Sequence, residues 1–166
     1  MKVGSTILLV SELVESDTYL WLRSALTIGE IRVTSVRDAV DKTLAKLGDR
    51  GQIASLYIVG HGNTSLMEIG SDLLSATNHA AMQEFGRLRG RFASDGGCVL
   101  DGCKVGHAID LLKRLSVALG NVKVSASTAN QRLTPGMEGG IRECVGNSCT
   151  YTGAGWSETI DWLLGQ

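Results

Sequence analysis

Short apolar runs of strand length alternate with amphipathic stretches of about a dozen residues along most of this chain. That alternation restricts the fold more than any other feature. Thr6–Val10, Ile53–Val59 and the core Cys98–Leu100 each read as a short strand whose side chains are mostly apolar on both faces, as in a buried sheet. Between them, Glu15–Leu26 places Leu20, Leu22, Ala25 and Leu26 on one side of a helix, and Ile31–Val36 reads as a strand with polar alternation. Arg37–Leu47 sets Ala39, Val40, Leu44 and Leu47 at helical spacing and stops at Gly48. Ser65–Leu74 suggests a small hairpin turning at Gly70-Ser71, and Asn78 is a suitable N-cap for a helix to about Leu88. Ala108–Leu119 follows as a helix stopped by Gly120-Asn121, then Val122–Ala126 as a strand. Strands alternating with helices in this way specify an α/β domain with a mostly parallel sheet.

Beyond that alternation the pattern changes. Ser127 to Gly140 is polar and Gly-rich, holds the only proline, Pro135, and reads as a loop long enough to have a function. Ile141–Val145 and Cys149–Thr152 flank Gly146-Asn147-Ser148 and are expected to pair as a C-terminal hairpin, and Trp156–Leu164 as a short closing helix. No repeat, low-complexity tract or linker divides the chain, so residues 1–166 are expected to form one domain. A net charge of -1 gives no electrostatic case for binding nucleic acid or an anionic membrane. No apolar run approaches the roughly 20 residues that span a bilayer, and the first run lacks a cleavage site, so the expected compartment is the cytoplasm.

The chemistry sits where two strands end. Ser55-Leu56-Tyr57-Ile58-Val59-Gly60 runs into His61-Gly62, and Gly97-Cys98-Val99-Leu100-Asp101-Gly102 runs into Cys103. Ligands bind at the carboxyl ends of strands in open parallel sheets. Neighbouring strands would therefore put an imidazole and a thiol on one edge, as nucleophilic cysteine catalysis requires. Glycines beside both residues allow a substrate backbone to approach, and backbone N–H groups at those turns suit a developing oxyanion. A helix following Cys103 would point its positive end at the thiolate. Asp101 shares a strand face with residue 103 and suits the floor of a pocket for a cationic side chain. A carboxylate there would raise the thiol's pKa, so it does not activate the nucleophile.

Each residue also has a plainer reading. His61 fits a loop histidine at a strand end, Cys103 a small buried hydrophobe, and Asp101 a cap for the following helix. Cys98 reads as core. Cys144 and Cys149 read as a cross-strand pair of thiols, or as a disulfide in an exported protein. With His79 and His107 elsewhere in the chain, they form no recognisable zinc spacing, so no metal is expected. Neither Gly60-His61-Gly62 nor Gly102…Gly106 fits a dinucleotide- or phosphate-binding loop, and no cofactor is expected. Trp21, Trp156 and Trp162 are scattered and read as packing residues.

The pair of an apolar strand ending in His61-Gly62 and an apolar strand ending in Asp101-Gly102-Cys103-Lys104-Val105-Gly106 resembles the caspase-like (clan CD) cysteine peptidases, among them caspases, metacaspases, gingipains, clostripain, separase and CHAT domains. Leu100 to Gly106, Leu111-Leu112…Leu115 and Val122 to Ser127 also resemble a caspase-like domain at the head of large bacterial adhesins. The resemblance covers roughly Thr6 to Ser127. It implies a caspase-like three-layer α/β/α sandwich and a His-Cys dyad, with His61 moving protons, Cys103 attacking and the Gly62 N–H helping to hold the oxyanion. It further implies that Asp101 binds a basic P1 residue, as the matching aspartate does in metacaspases and clostripain-like enzymes. The expected partner is a protein or peptide substrate cut after Arg or Lys. The chain is shorter than most active members, and a catalytically silent caspase-like module for binding or assembly is the competing expectation.

Overall fold

The computed structural model describes residues 4–15, 29–129 and 140–152. Nine strands and three α-helices occur among them: β1 Ser5–Ser11, β2 Glu30–Val33, α1 Val36–Leu47, β3 Ile53–Val59, β4 Leu66–Ile69, β5 Asp72–Ser75, α2 His79–Gly86, β6 Phe92–Asp101, α3 Ile109–Ala118, β7 Lys123–Ser127, β8 Ile141–Val145 and β9 Ser148–Thr152. Seven strands form one sheet in the order β2-β1-β3-β6-β7-β8-β9. The first five run parallel, and β8 and β9 add antiparallel. This is the expected α/β architecture with a mostly parallel sheet and a C-terminal hairpin.

The apolar runs become strands because the sheet is buried on both faces. On one face Ile7, Leu9, Leu56, Ile58, Cys98, Leu100, Val124 and Ala126 join a core completed by Val36, Ala39 and Val40 of α1, Ala81 and Phe85 of α2, and Leu111, Leu112 and Leu115 of α3. Leu8, Val10, Tyr57, Val59 and Val99 alternate with these residues, and they too are buried. Each fully buried aliphatic side chain contributes ~1.5–3 kcal/mol.

Local chemistry sets the element ends. β2 stops at Val33, short of the expected Val36, because Ser35 is extended and caps α1, its hydroxyl accepting the Asp38 N–H at 3.0 Å. Asn78 caps α2 as expected, accepting the Ala81 N–H at 3.1 Å. β6 starts at Phe92, well before the expected core at Cys98. Its pairing with β3 slips between Ile53↔Phe92 and Ser55↔Gly97, an irregularity that absorbs the turn-like Ser94-Asp95-Gly96. The hairpin β4–β5 turns at Gly70-Ser71 as expected. In the C-terminal hairpin the turn is shorter than expected, because Ser148 pairs with Val145 and leaves only Gly146-Asn147 between the strands. Cys144 and Cys149 face each other there and form a disulfide.

The expected helices Glu15–Leu26 and Trp156–Leu164 lie outside the described residues, except Glu15, as does most of the Ser127–Gly140 loop. The ends of that loop meet, with the Thr128 N–H donating to the Gly140 carbonyl at 3.0 Å. Among the described residues no helix is long and apolar enough to cross a membrane.

Candidate active site

β3 and β6 are hydrogen-bonded neighbours, paired in parallel up to Val59↔Asp101. The ladder continues one step further, the Gly60 N–H donating to the Asp101 carbonyl at 3.2 Å. His61 and Cys103 therefore each leave the sheet two residues past the same register pair, on one edge. Close approach of the two exits needs glycine. A Cβ at Gly62 would lie 2.4 Å from Val105 Cγ2 and 3.2 Å from the Cys103 carbonyl oxygen. His61 is exposed, and the Cys103 thiol is half-buried and outside any disulfide.

The edge is also where the sheet changes direction. From β1 the chain moves outward to β2, then returns past β1 to β3 and continues through β6 to β7. The crevice between the carboxyl ends of β1 and β3 is thus a topological switch point, where ligands bind in doubly wound sheets. His61 spans it. Its Nε2 lies 3.2 Å from the carbonyl oxygen of Leu13, in the turn that ends β1. A carbonyl only accepts, so Nε2 carries the proton in this contact, and in a neutral ring Nδ1 keeps the lone pair.

The hairpin β4–β5 braces the His61 segment. The Glu68 N–H donates to the His61 carbonyl at 2.7 Å and the Asn63 N–H to the Leu66 carbonyl at 3.0 Å. In that pattern Gly62 and Met67 are a non-hydrogen-bonded pair, so the Gly62 N–H is directed away from the hairpin. The hairpin is itself pinned to the sheet edge: the Gly70 N–H donates to the buried Ser11 hydroxyl at 2.8 Å, and Asp72 accepts the Val36 N–H at 2.8 Å.

Asp101 is only 6% exposed, on the same sheet face as Tyr57 of the neighbouring strand. Burial pushes its carboxyl up to about 7, against an ordinary value of 3.8. Burial, and then the Asp101 charge, also raise the Tyr57 phenol, whose buried oxygen has no hydrogen-bond partner among the described residues. Asp101 caps no helix. The 3₁₀ turn Val105–His107 and α3 both start without a side-chain cap.

One expectation about the nucleophile's surroundings changes. The element that follows Cys103 is that 3₁₀ turn, and α3 begins only at Ile109, so the dipole next to Cys103 is that of a single turn. Lys104 lies in the left-handed region at φ 58°, and its N–H is taken by the Ala129 carbonyl at 2.8 Å. Cys98 is core as expected, its thiol pushed up to about 12 by burial. Sequence reasoning missed the Leu13 carbonyl and Tyr57. The first has no side-chain signal, and the second read as one more apolar strand residue.

Residues 7–133 match the family described as Domain of unknown function (DUF4347). The chain belongs to the DUF4347 family. The match contains Leu13, His61, Asp101 and Cys103 and ends before the C-terminal hairpin, so the candidate site is part of the DUF4347 domain itself. No curated protein and no solved structure matches the chain.

Proposed function

We propose that this DUF4347 domain is a cysteine endopeptidase of caspase-like architecture, with a His61–Cys103 dyad and a preference for Arg or Lys at P1. The observation that carries the proposal is the shared register of β3 and β6, which brings the imidazole segment and the thiol segment off the sheet side by side at the switch-point edge. The burial of Leu8, Val10, Tyr57 and Val99 on the face opposite α1–α3 supports a three-layer arrangement.

In this reading His61 Nδ1 takes the Cys103 thiol proton, and the thiolate attacks the scissile carbonyl carbon. The carbonyl electrons move to oxygen, where the Gly62 and Cys103 N–H groups meet the charge. Collapse of the tetrahedral adduct expels the amine, which receives the proton from His61. Water, deprotonated by the same imidazole, then hydrolyses the thioester and returns the thiol. Asp101 forms the base of the P1 pocket. A substrate guanidinium or ammonium favours its carboxylate form, which burial otherwise disfavours below about pH 7. Affinity for an Arg P1 residue is therefore expected to rise as pH rises through 7.

Peptide libraries with purified protein test the proposal. Cleavage after Arg or Lys, lost in Cys103→Ala with the circular dichroism spectrum unchanged, is the expected result. No cleavage by folded wild-type protein under any condition would favour the silent binding module instead, and cleavage after Asp or apolar residues would refute the role of Asp101.

A further inference from the structure

Arg32 lies on β2, and its guanidinium reaches over the carboxyl end of β1. Nη1 donates to the Ser11 carbonyl at 3.2 Å and to the Val14 carbonyl at 2.7 Å. These two carbonyls bracket a tight turn closed by the Val14 N–H on the Ser11 carbonyl at 3.0 Å. Within it, the Leu13 N–H lies 3.4 Å from the buried Ser11 hydroxyl. The Leu13 side chain is 49% exposed, so its packing fixes the turn little. What remains is the Leu13 carbonyl, and it faces His61 Nε2 at 3.2 Å. The contacts thus run along the sheet edge from Arg32 on β2 through the Ser11–Val14 turn of β1 to His61 after β3, and the next strand in spatial order, β6, carries Cys103 past its end.

We propose that Arg32 is a positioning residue for His61: by holding the Ser11 and Val14 carbonyls at the two ends of the turn, it fixes the Leu13 carbonyl as acceptor for Nε2–H and so keeps the imidazole in the tautomer whose Nδ1 is the base. This rests on the dyad reading for its consequence, but the tautomer itself does not. A guanidinium suits the task because its planar fork holds a charge at every working pH and donates to more than one acceptor. The Leu13 carbonyl shares its peptide plane with the Val14 N–H, which the Ser11 carbonyl accepts; with Arg32 removed from both carbonyls of that closure the peptide is freer to rotate, and the neutral ring to exchange between its two tautomers.

The test uses ¹⁵N-labelled full chain and follows His61 by long-range ¹H–¹⁵N correlation at a pH where the ring is neutral. Wild type is expected to show one tautomer, protonated at Nε2. Arg32→Met is expected to give a tautomer mixture and to slow iodoacetamide alkylation of Cys103 by roughly twofold to tenfold, less than the ~100-fold or more that a positioned base contributes in full. Arg32→Lys, which keeps a donor cation, should restore part of both. If Arg32→Met folds poorly, Arg32→Gln, whose shorter side chain cannot reach both carbonyls, provides the same readout. An unchanged His61 tautomer in a folded variant would overturn the proposal. A shifted tautomer with alkylation unchanged would leave Arg32 in place and refute the dyad.

Discussion

Asp101 carries a buried carboxyl that titrates near neutrality, and this has a stability consequence with a definite sign. Between its ordinary value of 3.8 and about 7 the folded state holds a proton that the unfolded chain has released. Stability therefore falls as pH rises through that window, by up to roughly 4 kcal/mol from this group, and stays reduced above it. Asp101→Asn removes the slope: urea melts at pH 4 and pH 8 should show the variant gaining on wild type as pH rises. A constant difference between the two proteins would show that Asp101 is not desolvated. At this scale the sequence named His61, Cys103 and Asp101 from strand ends alone, because a side chain's chemistry is written in its letter. The Leu13 carbonyl was not legible, since any residue supplies one. Arg32 looked like a solvent-facing position of an alternating strand, and only the fold shows what it reaches.

Among elements, the hairpin β4–β5 positions the imidazole segment, and Gly70 is its anchor. Gly70 sits at φ 56°, and a Cβ there would fall 2.0 Å from the Thr34 carbonyl oxygen. Gly70→Ala combines a left-handed penalty with a backbone clash. It is expected to cost about 2 kcal/mol or more and to shift the urea midpoint down with an unchanged m-value. Asn78→Ala should cost only about 1 kcal/mol, the loss of one helix cap, and leave Cys103 alkylation unaltered. A larger effect of the cap than of Gly70 would contradict the anchoring role. The body of helix α1, the Asn78 cap and the Gly70-Ser71 turn were readable because their signals are local; the Ser35 cap was not, since Ser35 continues the polar alternation of the strand before it. The start of β6 was not: Ser94-Asp95-Gly96 has turn chemistry, and only pairing with β3 draws it into the strand.

For the molecule as a whole, the parallel sheet followed from alternating runs, but the strand order that places β1 beside β3 is a long-range property no local pattern carries. The Cys144–Cys149 disulfide fits an oxidising compartment better than the cytoplasm expected from the lack of a bilayer-length apolar run and of a cleavage site. It closes a small loop at the far edge of the sheet, outside the family match. Reduction, or Cys149→Ser, should lower stability by about 2 kcal/mol at most and leave the rate of Cys103 alkylation unchanged. Thermal melts with and without reductant check the first point, and mass spectrometry of alkylated peptides the second. A Cys103 rate that follows the redox state of the hairpin would mean the two edges of the sheet are coupled.

Activation of Cys103 by His61 is the core of the proposed function. Comparing Cys103 with the other thiols does not test it, because Cys98 is buried and Cys144 and Cys149 are bonded to each other. The direct measurement is the pH profile of the Cys103 alkylation rate in wild type and in His61→Ala. The dyad predicts that the two profiles differ, with the wild-type rate at least tenfold above that of His61→Ala at pH 7. Superimposable profiles from two folded proteins would contradict it.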